Sequence, residues 1–238
     1  MSSTLTYKSF GDRAVLIEWP AVISEAILTD ILSYKAKIEQ SVEVQDAIVG
    51  YHSLLVVYPF KISAFDQKVS FLKGLYEQRE VAELLHGTLW KLPVCYDAAF
   101  GVDLALMCTE LQLSIEQIVA LHSQAVYTVF FIGFLPGFLY LGGLDDRLVM
   151  PRKATPRLRV PKGAVAIGGS QTGVYPSESA GGWNIIGRSP ISFFDTAKQQ
   201  PCFAKPGDRI GFEPVSLEVF TAIEAQVAAG NYHVKKIE

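Results

Sequence analysis

Up to Cys95 the apolar positions alternate between two periods. Ala14–Trp19 follows the turn Gly11-Asp12 and alternates as a strand does. Behind Ser24, a residue suited to capping a helix, Ile27, Leu28, Ile31, Leu32 and Ile38 recur at helical spacing. Val42–Val49 and Leu54–Tyr58 read as strands joined by Gly50-Tyr51-His52-Ser53. Ala64–Gln78 then puts Val69, Leu72, Leu75 and Tyr76 on one helical face, and Thr88–Cys95 is a further strand.

The order strand–helix–strand–strand–helix–strand predicts a ferredoxin-like α+β domain over residues 1–95. From Tyr96 the pattern changes. Asp103–Leu111 is a short helix, and Ser114-Ile115-Glu116-Gln117 has the form of a capping box that starts another. Beyond Tyr127 come short strands punctuated by Gly and Pro: Arg157–Val160, Ala164–Ile167, Trp183–Ile186, Ile191–Phe194 and Arg209–Glu213. That spacing predicts a closed or nearly closed β-barrel over residues 96–238. The helix Ser216–Ala229, stopped by Gly230-Asn231, ends it.

Composition sharpens this picture in one place. Gly133–Arg188 holds eleven of the 19 glycines and five of the 12 prolines, interleaved with Phe, Tyr, Trp and Arg. Glycine permits φ > 0 and close backbone approach, while proline fixes φ, so this segment reads as ordered loops shaped around a ligand. It also carries seven Lys/Arg against three Asp/Glu, a local +4 in a chain of net charge −3. One basic segment in an acidic protein points to a local anion site, and not to a nucleic-acid surface, which needs a broad basic face. The 3 cysteines lack CxxC spacing and no two histidines are spaced as ligands, so no metal site is expected. The N-terminal segment lacks a signal-peptide pattern. The uncharged run Val126–Leu144 is interrupted by Pro136 and glycines, so a cytoplasmic protein with no membrane span is expected.

Two motif families fail on inspection. Gly168-Gly169-Ser170-Gln171-Thr172-Gly173 has the glycine spacing of a phosphate loop, but Val174-Tyr175 stand where Lys-Ser/Thr should follow. As a nucleophile elbow it has Thr172 in place of the last glycine. What remains is a hairpin-like turn whose N–H groups, with Gly169, Ser170, Gln171 and Thr172, suit an anion or an amide. Arg152 and Arg157 add the planar fork that carboxylates and phosphates favour. His122 lies on the apolar face of its helix, the position of a core histidine, though an acid–base role stays open. Phe134, Tyr140, Tyr175 and Trp183 read as core or as the walls of an apolar pocket.

The stretches GFLPGFLYLGGL, PRKATPRLRVPKGAVAIGGSQTGVYP and GGWNIIGRSPISFFD resemble the allophanate hydrolase subunit 1 family, as do GDRAVLIEW, YHSLLVVY and PGDRIGFEPVS. The likeness spans essentially the whole chain; Ala180 departs from the proline often found before GGW. The resemblance implies a ferredoxin-like domain followed by a cyclophilin-like β-barrel, and a hydrolase subunit inactive without partners. In the 5-oxoprolinases of the family two further subunits, the homologous C and the separate A, complete an ATP-dependent conversion of 5-oxo-L-proline to L-glutamate. Two alternatives stay open: a regulator of a sensor histidine kinase, and a carboxyltransferase-type half-site for urea or allophanate. His122, Gln171, Thr172, Tyr175, Arg152, Arg157 and Arg188 fall on the family's pattern. On those matched positions we expect Gln171 and Thr172 to recognise a lactam or amide, Arg157 and Arg188 to hold a carboxylate or phosphate, and His122 to position or transfer a proton. ATP is expected to bind mainly on a partner or at a shared site.

Overall fold

A computed structural model describes residues 5–80 and 87–237; residues 1–4, at the head of the segment read for a signal peptide, and 81–86 and 238 lie outside the description. The fold is mixed α/β, and the chain divides into two units, Met1–His86 and Gly87–Glu238.

In the first unit β1 (Thr6–Phe10), β2 (Ala14–Glu18), β3 (Asp46–Val49) and β4 (Ser53–Val57) form an antiparallel sheet in the order β1-β2-β4-β3, accompanied by α1 (Glu25–Ser41) and α2 (Phe65–Glu77). The alternation read at Ala14–Trp19 is real: Val15 and Ile17 are fully buried. Ser24 occupies the cap position of α1 but its side chain makes no capping bond. Next to β2, where the expected arrangement needs Thr88–Cys95, stands β1. The ferredoxin-like order is therefore not reproduced strand for strand.

The missing strand is β5 (Leu89–Val94), and it opens the second unit, so the division falls at 86/87 and not at 95/96. β5 pairs in parallel with β13 (Arg209–Pro214) and antiparallel with β14 (Lys235–Ile237). Between them in the chain lie α3 (Leu104–Leu111), α4 (Ile115–Gln124) and β6 (Val126–Ile132), then β7 (Leu139–Gly142), β8 (Arg157–Val160), β9 (Ala164–Gly168) and β10 (Gln171–Val174). β11 (Ser179–Gly181) and β12 (Asn184–Arg188) follow, and α5 (Leu217–Ala228) comes before the last strand. Eight strands form one sheet, β12-β9-β10-β7-β6-β13-β5-β14, and β8 pairs with β11 in a separate ribbon. The expected closed barrel is not a continuous ladder. A single antiparallel bridge between Cys95 and Arg188, with both N···O distances 2.9 Å, brings the end of β5 to β12.

The uncharged run Val126–Leu144 folds as β6 and β7, not as a helix, because its glycines and Pro136 make the connecting loop. No single helix among the described residues is long and apolar enough to cross a membrane. The capping box on α4 forms as read: Ser114 Oγ accepts from Gln117 N and Gln117 Oε1 accepts from Ser114 N. Ile191 and Phe193 are buried, yet 191–194 belongs to no strand; apolar alternation here reports burial without ladder pairing. The main core lies between the large sheet and α3–α4, where Met107 and Ile118 meet Val129, Leu141, Ile167 and Phe212.

Candidate functional site

The residues read from the sequence fall in three places. The first is the core. His122, on α4, is fully buried and lies over Phe212 with ring centroids 4.6 Å apart. Thr172 Oγ1 donates to Ala166 O at 3.1 Å. That uses its one proton, so at the 2.9 Å contact with His122 Nε2 it accepts. Nε2 therefore carries the ring hydrogen, and bare Nδ1 accepts from Tyr96 OH at 2.7 Å. The chain of donors runs Tyr96, His122, Thr172 and ends on a backbone carbonyl. Burial holds the imidazole neutral, its pKa pulled down to about 3, and pushes Tyr96 well up. An acid–base residue must reach its substrate; in this setting His122 reaches no solvent, so the arrangement suits positioning and not proton transfer.

The second place is the opposite face of the same strands. Side chains alternate along β10, so Gln171 points away from Thr172 and shares a face with Gly173, which lies against Phe138. Here Phe138, Tyr175 and Trp183 are buried together, with Tyr140 half-buried against them. Phe138 meets Tyr175 and Trp183 edge-on at 5.2 and 5.6 Å, and Tyr140 stacks on Phe131 at 4.2 Å. The Arg152 guanidinium lies 5.4 Å from the Trp183 ring. Burial raises the Tyr140 pKa, and the nearby Arg152 charge offsets part of that rise. Phe134 is 63% exposed, edge-on to Phe138, with a left-handed φ of 62°. A bulky residue held there is strain that loop packing must sustain. Gln171 Oε1 is buried with no donor.

The turn beside this face differs from the expected anion cradle. Gly168 pairs with Gln171, leaving Gly169-Ser170 as a two-residue hairpin loop, with Gly169 at φ +66°. Gly169 N–H donates to Met150 O at 2.7 Å, so it is not free for a phosphate. The ladder uses the amides that a phosphate loop would leave open. Ser170 stays exposed at the tip.

The third place gathers Arg157 and Arg188 at a cleft of about 390 Å³, with Arg159 beside them. Its organiser, Asp103, is a residue sequence reasoning missed. Asp103 is buried; its Oδ1 accepts from Arg157 Nη2 at 2.6 Å and Lys153 Nζ at 2.9 Å, while Oδ2 accepts from Ile185 N at 2.7 Å. Burial alone would raise its pKa, but the bonds from Arg157, Lys153 and Ile185 outweigh it and hold the carboxyl below its ordinary value. Asp103 thus ties β8, the Lys153 segment and β12 together. Arg188 donates from Nε to Lys162 O at 2.9 Å, and its guanidinium faces the Phe100 ring at 5.5 Å. No group of three or more His, Cys, Asp or Glu side chains among the described residues is placed to hold a metal ion.

Residues 5–204 match the family described as the carboxyltransferase domain, subdomain C and D. The chain belongs to this family. Of its relatives, the B subunit of 5-oxoprolinase from Escherichia coli O157:H7 is 38% identical over 86% of this chain and 93% of its own. The crystal structure of TTHA0988 is similar at 33% identity and a TM-score of 0.75 over 86% of the chain. This chain spans 40% of TTHA0988, so there the carboxyltransferase-domain unit is part of a longer polypeptide. The Kluyveromyces lactis urea amidolyase is similar in fold, with a TM-score of 0.84 over 99% of this chain at 20% identity, and this chain covers 16% of it.

Proposed function

We propose that the protein is the B subunit of a cytoplasmic, ATP-dependent 5-oxoprolinase, a hydrolase that converts 5-oxo-L-proline to L-glutamate with the homologous C and the separate A subunits. The observation that carries this reading is the 38% identity to the B subunit of a 5-oxoprolinase over 93% of that protein's length. The chemistry calls for several parts. An amide is a poor electrophile, so water must add to the lactam carbonyl carbon, the C–N bond must break and the amine must leave protonated; ATP cleavage supplies the driving force.

This chain offers surfaces for binding and orientation. Exposed Phe134 and Arg152, with Ser170 and the outward Gln171, form one wall suited to an amide, and a partner protein completes the other. Gln171 Oε1 is buried and lacks a donor, and a lactam N–H would supply one once substrate or partner binding opens a path to it. His122 and Thr172 act behind that wall by holding β10 in register. ATP fits poorly at Gly168–Gly173, where the Gly169 amide is already bonded, which favours a nucleotide site on a partner or at a shared surface.

The test is reconstitution. The chain co-purified with its partner subunits releases glutamate from 5-oxoproline only with ATP, and Gln171→Ala in that complex lowers the release. An intact complex without ATP-dependent release would sink the reading and favour a regulatory protein.

A further inference from the structure

We infer that the cleft at Arg157, Arg159 and Arg188 is a binding site for a small organic carboxylate. The inference deepens the hydrolase reading, whose substrate is itself a small organic carboxylate, by placing a site for that group on this chain alone.

Charge gives the first reason. Asp103 carries one negative charge and receives two cations, Arg157 and Lys153, on the same oxygen. Arg157 Nη1 is buried and has no acceptor. A charged donor without an acceptor is costly, and an anionic oxygen entering the cleft would relieve it. Arg188 is also under-matched: Glu224 lies 3.6 Å away, beyond hydrogen-bond range. Arg159 pairs with Glu178 on the open surface and adds no demand of its own.

Shape gives the second reason. Phe100, Val102 and Pro161 line the same cleft, and Val102 is 57% exposed. Its volume, about 390 Å³, lies in the range of small-molecule sites. Arginine forks next to apolar walls suit a ligand whose charge adjoins a compact hydrocarbon body. The guanidinium fork accepts carboxylate and phosphate alike, but inorganic phosphate has no such body and would leave the walls unused.

Calorimetric titration of the full chain at low salt tests this with four probes: benzoate, L-5-oxoproline, the neutral analogue benzamide, and inorganic phosphate. The expected result is saturable binding of one carboxylate per chain, in the millimolar range or tighter, with benzamide silent and phosphate weaker. Arg188→Gln weakens carboxylate binding by about tenfold. Val102→Glu, at an exposed position, abolishes it by placing a resident carboxylate at the arginines, with the thermal unfolding curve unchanged. The proposal is overturned if neither carboxylate saturates, if phosphate or benzamide binds as well as benzoate, or if both variants bind as the parent does. A complex that releases glutamate from 5-oxoproline while the chain binds no carboxylate overturns this site and leaves the hydrolase reading standing. Carboxylate binding without any release does the reverse.

Discussion

His122 Nε2 donates to Thr172 Oγ1 at 2.9 Å, and this bond pins the strand that carries Gln171 to a helix 50 residues earlier in the chain. The pair faces the core, and Gln171 faces the other way. Replacing Thr172 with valine keeps the volume but leaves His122 Nε2–H without its acceptor and removes the side-chain bond to Ala166 O, a carbonyl that still faces Gly173 in the ladder. The expected loss is about 1–3 kcal/mol of unfolding free energy, read by urea denaturation, and Thr172→Ser restores most of it. Per folded complex, glutamate release by both variants stays near the parent value. A large fall in turnover with unchanged stability would make the hydroxyl a reacting group instead.

Burial of neutral His122 predicts an acid-sensitive fold. The ring has a pKa of about 3 when folded and 6.5 when unfolded, so between these values the unfolded chain binds the extra proton. The stabilisation is fully present above pH 6.5 and is lost as pH falls toward 3. The slope approaches about 1.4 kcal/mol per pH unit, on the order of 4–5 kcal/mol in all. Unfolding free energies of the parent and His122→Asn, measured from pH 7 to 4, should differ in slope by nearly one proton. Equal slopes would mean that the folded imidazole titrates normally.

Asp103 should matter for stability more than any exposed charge on its face. Asp103→Ala strands Arg157, Lys153 and the Ile185 amide together. With both cations partly solvated, about 2–4 kcal/mol is expected, and Asp103→Asn, which retains an acceptor for Ile185 N, should lose less. Arg159→Ala, which breaks the exposed pair with Glu178, should change stability by less than about 1 kcal/mol. A thermal melt of the three variants orders them.

Gly168 leaves the space that Trp183 occupies: a Cβ there would lie 2.6 Å from the indole. Gly168→Ala must displace a packed ring, at about 1–3 kcal/mol, and with it the Trp183 face beneath Arg152. The expected signs are a lower melting temperature and a shifted tryptophan emission. An unchanged spectrum would show that the indole is not packed as described.

Elements with one buried face were legible in the sequence. Val15 and Ile17 announce β2 because the sheet buries them and leaves alternate positions partly exposed. β1 passed unread since it is largely exposed, and β14 since three residues carry no period. Thr88–Cys95 was readable as a strand, but its partners lie far along the chain, and no local pattern says which unit a strand joins. The site shows the same division. The basic, aromatic segment announced itself by composition, whereas Asp103 did not, because its partners Arg157 and Ile185 stand 54 and 82 positions away. The inward turn of Thr172 and the outward turn of Gln171 depend on which face of β10 the core takes, and the hairpin alone does not specify it.

The placement of β5 between β13 and β14 has a consequence for synthesis. Leu89 is among the first residues of its unit to leave the ribosome, yet its strand partners, Arg209 and Ile237, are among the last. Until they arrive, β5 has two open edges and buried-type side chains in water, the condition under which nascent chains aggregate or recruit chaperones. The unit's opening strand therefore finds its ladder partners only after Arg209–Pro214 and Lys235–Ile237 have been made.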